Sequence, residues 1–590
     1  MLFPQQNSIR RTQKLDGIWA FRTDPEGVAQ NQCWEKGVPQ ARQIAVPGSW
    51  NEQIPDLSNY FGPGWYECAF FPDSGWAEMP LRLRIGAVNN NARIWVNGIF
   101  SGEHRGPYLP VDIDVSGLVS FGKENRLVIC VDATLDPWMF PPASLVENEG
   151  RVGFMNSYPA VSYDFFPYGG IHRSVYLYAT GAPRIERISV VTKSLQESHA
   201  EIMVTVEMAD DFYGTVECNT EEFSARFTSN GGRTLSGTLH IPSPRVWEVG
   251  KGELYHLEVR AEDLNGAADS YRQTFGIRTV EVKGDQFLLN GKAVFFHGFG
   301  KHEDFHIIGK GLLEPLIVRD FEMLRWVGAN SFRTSHYPYA EEWLDYADRE
   351  GVLVIDETPF VGLGDRLYTD ELLAKAKTVV AELIHRDKHH PSVVMWSLAN
   401  EPNCTPGDAA ATAFFKGMAD CARDLDASRP ITYVAHREPE ENEGLKYYDV
   451  VCVNKYYGWY NGPGLIEETL PEFEKCMHRF HDAFAKPIIL AEFGADAIDG
   501  MHRMPAELFT EEYQSEIIEK QYEMMRTMPW CIGTHIWAFA DFKTSQCITR
   551  IVFNRKGVFT RDRQPKMAAH TLRRLWNGKD SPSRSRMEPH

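Results

Sequence analysis

The chain has 590 residues, too many for one hydrophobic core, so several domains are expected. Its 61 basic residues against 80 acidic ones leave a net charge of -19, which argues against nucleic acid or an anionic membrane as partner and requires any anionic ligand to find a local cationic pocket. The ten cysteines include no C-x-x-C pair, so no metal or dithiol centre is expected, and no apolar run is long enough to span a bilayer.

The first residues, Met1 to Asn7, lack a basic stretch followed by an apolar one, and a cytoplasmic enzyme is the default expectation. Residues 1–180 read as all-β. Leu81, Leu83 and Ile85 alternate with Arg82 and Arg84, and Ile94-Trp95-Val96 runs into the hairpin signal Asn97-Gly98. Short strands punctuated by Gly and Pro suggest a jelly-roll β-sandwich, interrupted by a long irregular stretch from Asp136 to Tyr163. Gly181-Ala182-Pro183 reads as a linker. Residues 181–277 then alternate again, at Ile202, Val204, Val206 and at Tyr255, Leu257, Val259, as in an immunoglobulin-like β-sandwich.

From residue 278 onward the grammar changes. Eight apolar strands are expected at 294–297, 331–333, 352–355, 393–397, 431–434, 450–453, 488–490 and 535–537, most of them separated by helical periodicity. Eight such units over residues 278–590 specify a C-terminal (β/α)8 TIM barrel, which places chemistry at the C-terminal ends of its strands. The tail at 581–586, rich in Ser and Arg, reads as disordered.

Two apolar runs stop at a glutamate. Met395 to Ala399 ends in Asn400-Glu401-Pro402, and Ile488 to Ala491 ends in Glu492-Phe493-Gly494. Two carboxyls facing one glycosidic bond are what retaining glycosidase chemistry needs, one as acid/base and one as nucleophile. Glu401 takes the first role, Glu492 the second, and Asn400 would bond the sugar 2-OH. Other polar residues end or follow strands: His302, Arg333, His336, Asp356, Glu357, Asn454 and Trp537.

These motifs, with Gly298 to Asp304 and Arg333 to Pro338, resemble the signatures of glycoside hydrolase family 2, and the resemblance runs from Leu15-Asp16-Gly17 to Arg561-Asp562. It implies the three-domain order above, retention of anomeric configuration without metal or organic cofactor, and a homo-oligomer, tetramer or dimer. Asn554-Arg555-Lys556 resembles the Asn-x-Lys of the family's β-glucuronidases. The resemblance implies that Asn554 and Lys556 hold a sugar carboxylate, assisted by Arg550 and Tyr460, through charge-assisted bonds. A neutral sugar is then expected to leave the ammonium without a counter-ion. Tyr456 matches a tyrosine bonded to the nucleophile. Asp164 and His302 match residues that bond sugar hydroxyls, and Trp537 would stack on the sugar or floor the barrel.

The expected activity is that of a retaining exo-β-D-glucuronidase acting on a small or oligosaccharide glucuronide. A β-galacturonidase on the same scaffold is the nearest alternative, and the segment Ala435 to Pro439 bears on that choice at C4. A non-catalytic carbohydrate-binding protein is the alternative of another class. The short connection Phe360 to Arg366 after the third barrel strand implies an open entrance.

Overall fold

The computed structural model describes residues 1–143, 157–364 and 367–578. The tail at 581–586, the last two residues of the 360–366 connection, and 144–156 within the irregular stretch lie outside the described residues.

The first domain packs a six-stranded antiparallel sheet against a four-stranded one, with a smaller three-stranded sheet beside them. Alternation explains the core. Leu81, Leu83 and Ile85 of one sheet meet Ile94, Val96, Leu127 and Ile129 of the other. Strands Asn91–Val96 and Ile99–Arg105 pair through the Asn97-Gly98 turn. Both turn residues have positive φ (53° and 78°), the geometry that matches strand twist in a two-residue hairpin.

The second domain is a smaller sandwich of three and four strands, with His199–Met208 burying every second residue. The Gly-Ala-Pro linker is held in place. Asp269, fully buried, pairs with Arg10 at 2.6 Å and accepts from the backbone N–H groups of Gly181 (3.2 Å) and Ile185 (2.9 Å), so one carboxylate ties the two sandwiches together.

The third domain is a closed barrel of eight parallel strands: β1 Phe296–Gly300, β2 Ser331–Arg333, β3 Leu353–Glu357, β4 Val393–Asn400, β5 Ile431–Ala435, β6 Val451–Asn454, β7 Ile488–Glu492 and β8 Cys531–Trp537. β1 begins later than its apolar run suggests, because Lys292–Ala293 folds back on Leu288–Leu289 and the Val294 N–H donates to Phe287. The interval after β5 also departs from the expected helix. It holds two short 3-10 segments, Pro439–Glu441 and Glu443–Tyr447, and the proline opens the first of them. Elsewhere helices pack outside, several of them capped by a side chain accepting from the first turn, as with Thr369, Asp408 and Thr510.

One long-range pairing positions the site. Ser157–Tyr158 of the first domain pairs antiparallel with Gln546–Cys547, beyond β8, and the Phe166 N–H donates to Lys543 O at 3.0 Å. The first domain thereby lays Asp164 and Phe165 over the barrel mouth.

Candidate active site

Strands β4 and β7 are buried along their whole length and therefore rigid. At the end of β4 the chain turns sharply. Glu401 has φ +50°, a left-handed conformation that side-chain sterics disfavour, and its N–H donates to Val434 O at 2.8 Å. The turn lifts the Glu401 side chain out of the strand. Past β7, Gly494 has φ +136°, and a Cβ there would lie 2.9 Å from the Trp537 carbonyl, which is why the second motif ends in glycine.

Hydrogen bonds join the two glutamates. Arg333, fully buried at the end of β2, donates from Nη2 to Glu492 Oε1 at 2.5 Å. Its Nη1 donates to both oxygens of Glu357 (2.8 and 2.7 Å) and reaches Asn400 Oδ1 at 3.4 Å. Asn454 Nδ2 donates to that same Asn400 oxygen (3.2 Å) and to Glu401 Oε1 (2.8 Å). Tyr456 Oη donates to Glu492 Oε2 at 2.8 Å. In the barrel register Asn454 lies beside Glu492, so the residue that holds one acid neighbours the other.

The electrostatics follow from a shortage of cations. Burial pushes the Glu492 carboxyl up to about 8; Arg333 and the Tyr456 hydroxyl pull it down, while the charge of Glu401 adds to the rise. Burial also raises Glu357, again against Arg333. One guanidinium thus serves two buried carboxylates, with a third nearby. Glu492 receives Arg333 and Tyr456, which favour its charged form, whereas Glu401 receives an amide.

Beyond β8, Asn554 and Lys556 are both fully buried. Lys556 Nζ donates to Tyr460 Oη (3.0 Å) and to Asp496 Oδ2 (3.0 Å), and lies 5.7 Å from the centre of the Tyr456 ring. Arg550 Nη2 donates to Tyr460 Oη at 2.7 Å and to Asp164 Oδ2 at 2.6 Å, and Asn554 Nδ2 donates to Asp164 Oδ2 at 2.7 Å. These four side chains converge, and Tyr456 connects them to Glu492. The expectation that the ammonium stands without a counter-ion when no acidic sugar is present is corrected by this geometry: Asp496 already pairs with it. Asp164, expected to meet sugar hydroxyls, spends its carboxylate on Arg550 and Asn554.

His302 is buried, bonds Tyr337 Oη through Nδ1 at 3.1 Å, and leaves Nε2 without a partner among the described residues. Burial and the neighbouring His336 and Lys310 hold it neutral. Trp537, 3 % exposed, stacks on His336 with ring centres 4.9 Å apart and lies beneath Arg333. Asp496 was missed from sequence; its signal was position, four residues past Glu492. Arg333, Glu357 and Asn454 were legible only as polar strand ends, with no indication of which carboxylate each would hold.

One metal-capable cluster occurs among the described residues: Asp345, Asp348 and His390. Its histidine is a poor ligand. Burial pulls the His390 imidazole down, but Asp348, 2.7 Å away, outweighs that and lifts it to about 9, so a metal would have to displace a proton from the ring.

The chain matches family models throughout: the sugar binding domain of glycosyl hydrolases family 2 over residues 12–181, the family 2 domain over 176–278, and the family 2 TIM barrel domain over 280–579. It is 40% identical to a protein named β-glucuronidase from Paenibacillus borealis, over 98% of each chain, and 38% identical to one of the same name from Mus musculus, covering 98% of this chain and 92% of that one. Its fold is similar to that of a β-glucuronidase from Ruminococcus gnavus solved with D-glucuronic acid, with TM-score 0.90, 35% identity, and 98% and 99% of the two chains covered.

Proposed function

This chain belongs to glycoside hydrolase family 2 and is a glycoside hydrolase, and from that premise we propose that it cleaves terminal β-D-glucuronides with net retention of configuration at C1. The observation that carries the reading is the cluster of buried Asn554 and Lys556 with partly exposed Arg550 and exposed Tyr460, linked through Tyr456 to Glu492. Two cations and two neutral polar groups converge there, the cations paired with Asp164 and Asp496 until a ligand shares them, in a chain whose overall charge repels anions. A C6 carboxylate is the sugar substituent that such a set recognises, through charge-assisted bonds. The relatives named β-glucuronidase support the same substrate class.

In this reading Glu401 acts as the acid and Glu492 as the nucleophile. Glu401 donates its proton to the glycosidic oxygen while Glu492 attacks C1, so the C1–O bond breaks as an ester bond forms, and the aglycone leaves as an alcohol. Glu401, now a carboxylate, takes a proton from water. That water attacks C1, the ester breaks, and Glu492 is released as a carboxylate. Arg333 and Tyr456 stabilise the charge on Glu492 before attack and again as it returns. Asn400, oriented by Arg333 and Asn454, bonds the 2-OH. No step uses a metal or organic cofactor.

Two measurements test this reading. A panel of p-nitrophenyl β-glycosides differing only in the sugar should show glucuronide hydrolysis far above glucoside and galactoside. Proton NMR of an early time point should show the β-anomer of glucuronic acid first. A preference for neutral sugars would overturn the substrate assignment, and the α-anomer appearing first would overturn retention.

A further inference from the structure

Lys310 is a buried cation at the barrel mouth that the chemistry above does not use. It is 4 % exposed, and among the described residues it makes no ion pair. Its ammonium sits instead among aromatic faces: 3.5 Å from the centre of the Tyr337 ring, 4.2 Å from Phe165 and 4.9 Å from Tyr108. Among the described residues its one side-chain hydrogen bond is to Tyr108 Oη, at 3.4 Å. Tyr108 and Phe165 belong to the first domain, whereas Tyr337 follows β2 of the barrel.

Each of these rings does something further. Tyr108 stacks on Tyr337 with centres 4.4 Å apart. Tyr337 Oη bonds His302 Nδ1. Phe165 packs against His302 (5.2 Å) and His336 (6.1 Å), and His336 Nδ1 meets Glu357 at 2.8 Å. Phe165 is also the direct neighbour of Asp164, the carboxylate that orients Arg550 and Asn554.

Burial draws Lys310 well below the ordinary lysine value; the charges of Glu303 and Asp304 oppose that fall. Ring quadrupoles oppose it too, since a cation over an aromatic face is favoured most when water is excluded.

We propose that Lys310 is a positioning residue for catalysis: a cation held among rings of two domains that fixes the Asp164-Phe165 segment over the barrel mouth and so sets the donors that read the sugar carboxylate. This rests on the substrate reading above. An uncharged side chain of similar length would keep the packing and lose the attraction that orders Phe165.

The test is a double-mutant cycle on the full-length enzyme with p-nitrophenyl β-D-glucuronide. Lys310→Met should raise KM about ten-fold, as loss of a desolvated cation–π contact implies, with kcat changed less than about three-fold and the melting temperature nearly kept. Lys310→Arg should restore most of KM. In an Asp164→Asn background, Lys310→Met should have little further effect on KM, because the segment it orders no longer carries the carboxylate. Additive KM effects, an unchanged KM in Lys310→Met, or no recovery in Lys310→Arg would overturn the proposal. If Lys310→Met fails to fold, Phe165→Leu takes its place in the same cycle, with the same non-additivity expected. Failure of the substrate reading would look different, since no variant would then show glucuronide hydrolysis to compare.

Discussion

The Lys556 ammonium and the Asp496 carboxylate meet at 3.0 Å, and both are shielded from water. Asp496 also accepts the Arg555 N–H at 2.9 Å, so it fixes the turn that presents Lys556. The free enzyme therefore stores a paired cation, and an arriving sugar carboxylate shares it. Asp496→Asn removes the resident charge while keeping an acceptor for the backbone. Breaking one side of a buried ion pair costs about 3–5 kcal/mol, so the free variant should unfold at markedly lower temperature. A glucuronate-derived inhibitor supplies the missing charge and should raise its melting temperature more than that of wild type. Equal ligand-induced shifts in the two proteins would contradict the pairing.

Lys556→Gln tests the other partner. Each hydrogen bond to a charged group contributes about 1.5–3 kcal/mol, so losing the ammonium should cut kcat/KM on an aryl glucuronide by roughly one to two orders of magnitude. Asp496, left with Arg550 at 3.7 Å, then faces the substrate carboxylate and adds repulsion. The residual rate on an aryl glucoside should change much less. Combining Lys556→Gln with Asp496→Asn should recover stability without recovering selectivity, because the buried charge is gone but the reader of the carboxylate is gone too. Parallel losses on both substrates would show that Lys556 does not discriminate between them.

These two residues also mark where sequence reasoning reached and where it stopped. The barrel was legible because apolar runs ending in polar residues are set by burial, a local property of the chain. β2 was expected and found at Ser331–Arg333, Glu492 ends β7, and Glu401 directly follows the last residue of β4. β1 was misplaced because hairpin pairing of Lys292–Ala293 competes for the same residues. The counter-ions were not legible. Asp496 and Asp164 reach their cations across 60 and 386 residues of chain, and no local pattern encodes such a meeting. Arg333 was visible as a strand end, but its two carboxylate partners emerge only when β2, β3 and β7 close on one axis.

The Glu492 carboxyl predicts one limb of the pH profile. Burial raises it to about 8, so its charged form becomes dominant only as pH rises through that value. The kcat/KM of wild type should therefore rise on a limb near pH 8, as the nucleophile gains its charge. Stability runs the other way. A carboxyl whose folded pKa lies above its unfolded value contributes most below the unfolded value, and that contribution is lost as pH rises through the folded one. Tyr456→Phe removes a bond that favours the charged form of Glu492. It should lower kcat about ten-fold and move that limb upward, as a kcat/KM profile from pH 4 to 10 will show. A limb that stays in place would separate Tyr456 from the titration.

Arg333 carries the most demanding geometry in the site. Its Nη1 serves Glu357 and its Nη2 serves Glu492, which requires a planar fork with two nitrogens at fixed separation. Arg333→Gln leaves two buried carboxylates without a cation and should destabilise the protein by about 3–5 kcal/mol. Arg333→Lys restores a positive charge at a single nitrogen, which can satisfy one carboxylate fully or both poorly. Stability should then recover more than turnover does, because charge balance needs only a cation, whereas attack at C1 needs Glu492 held in one orientation. Thermal unfolding and kcat measured on both variants separate these effects. A lysine variant with wild-type kcat would mean that charge alone, rather than the fork, keeps the nucleophile ready.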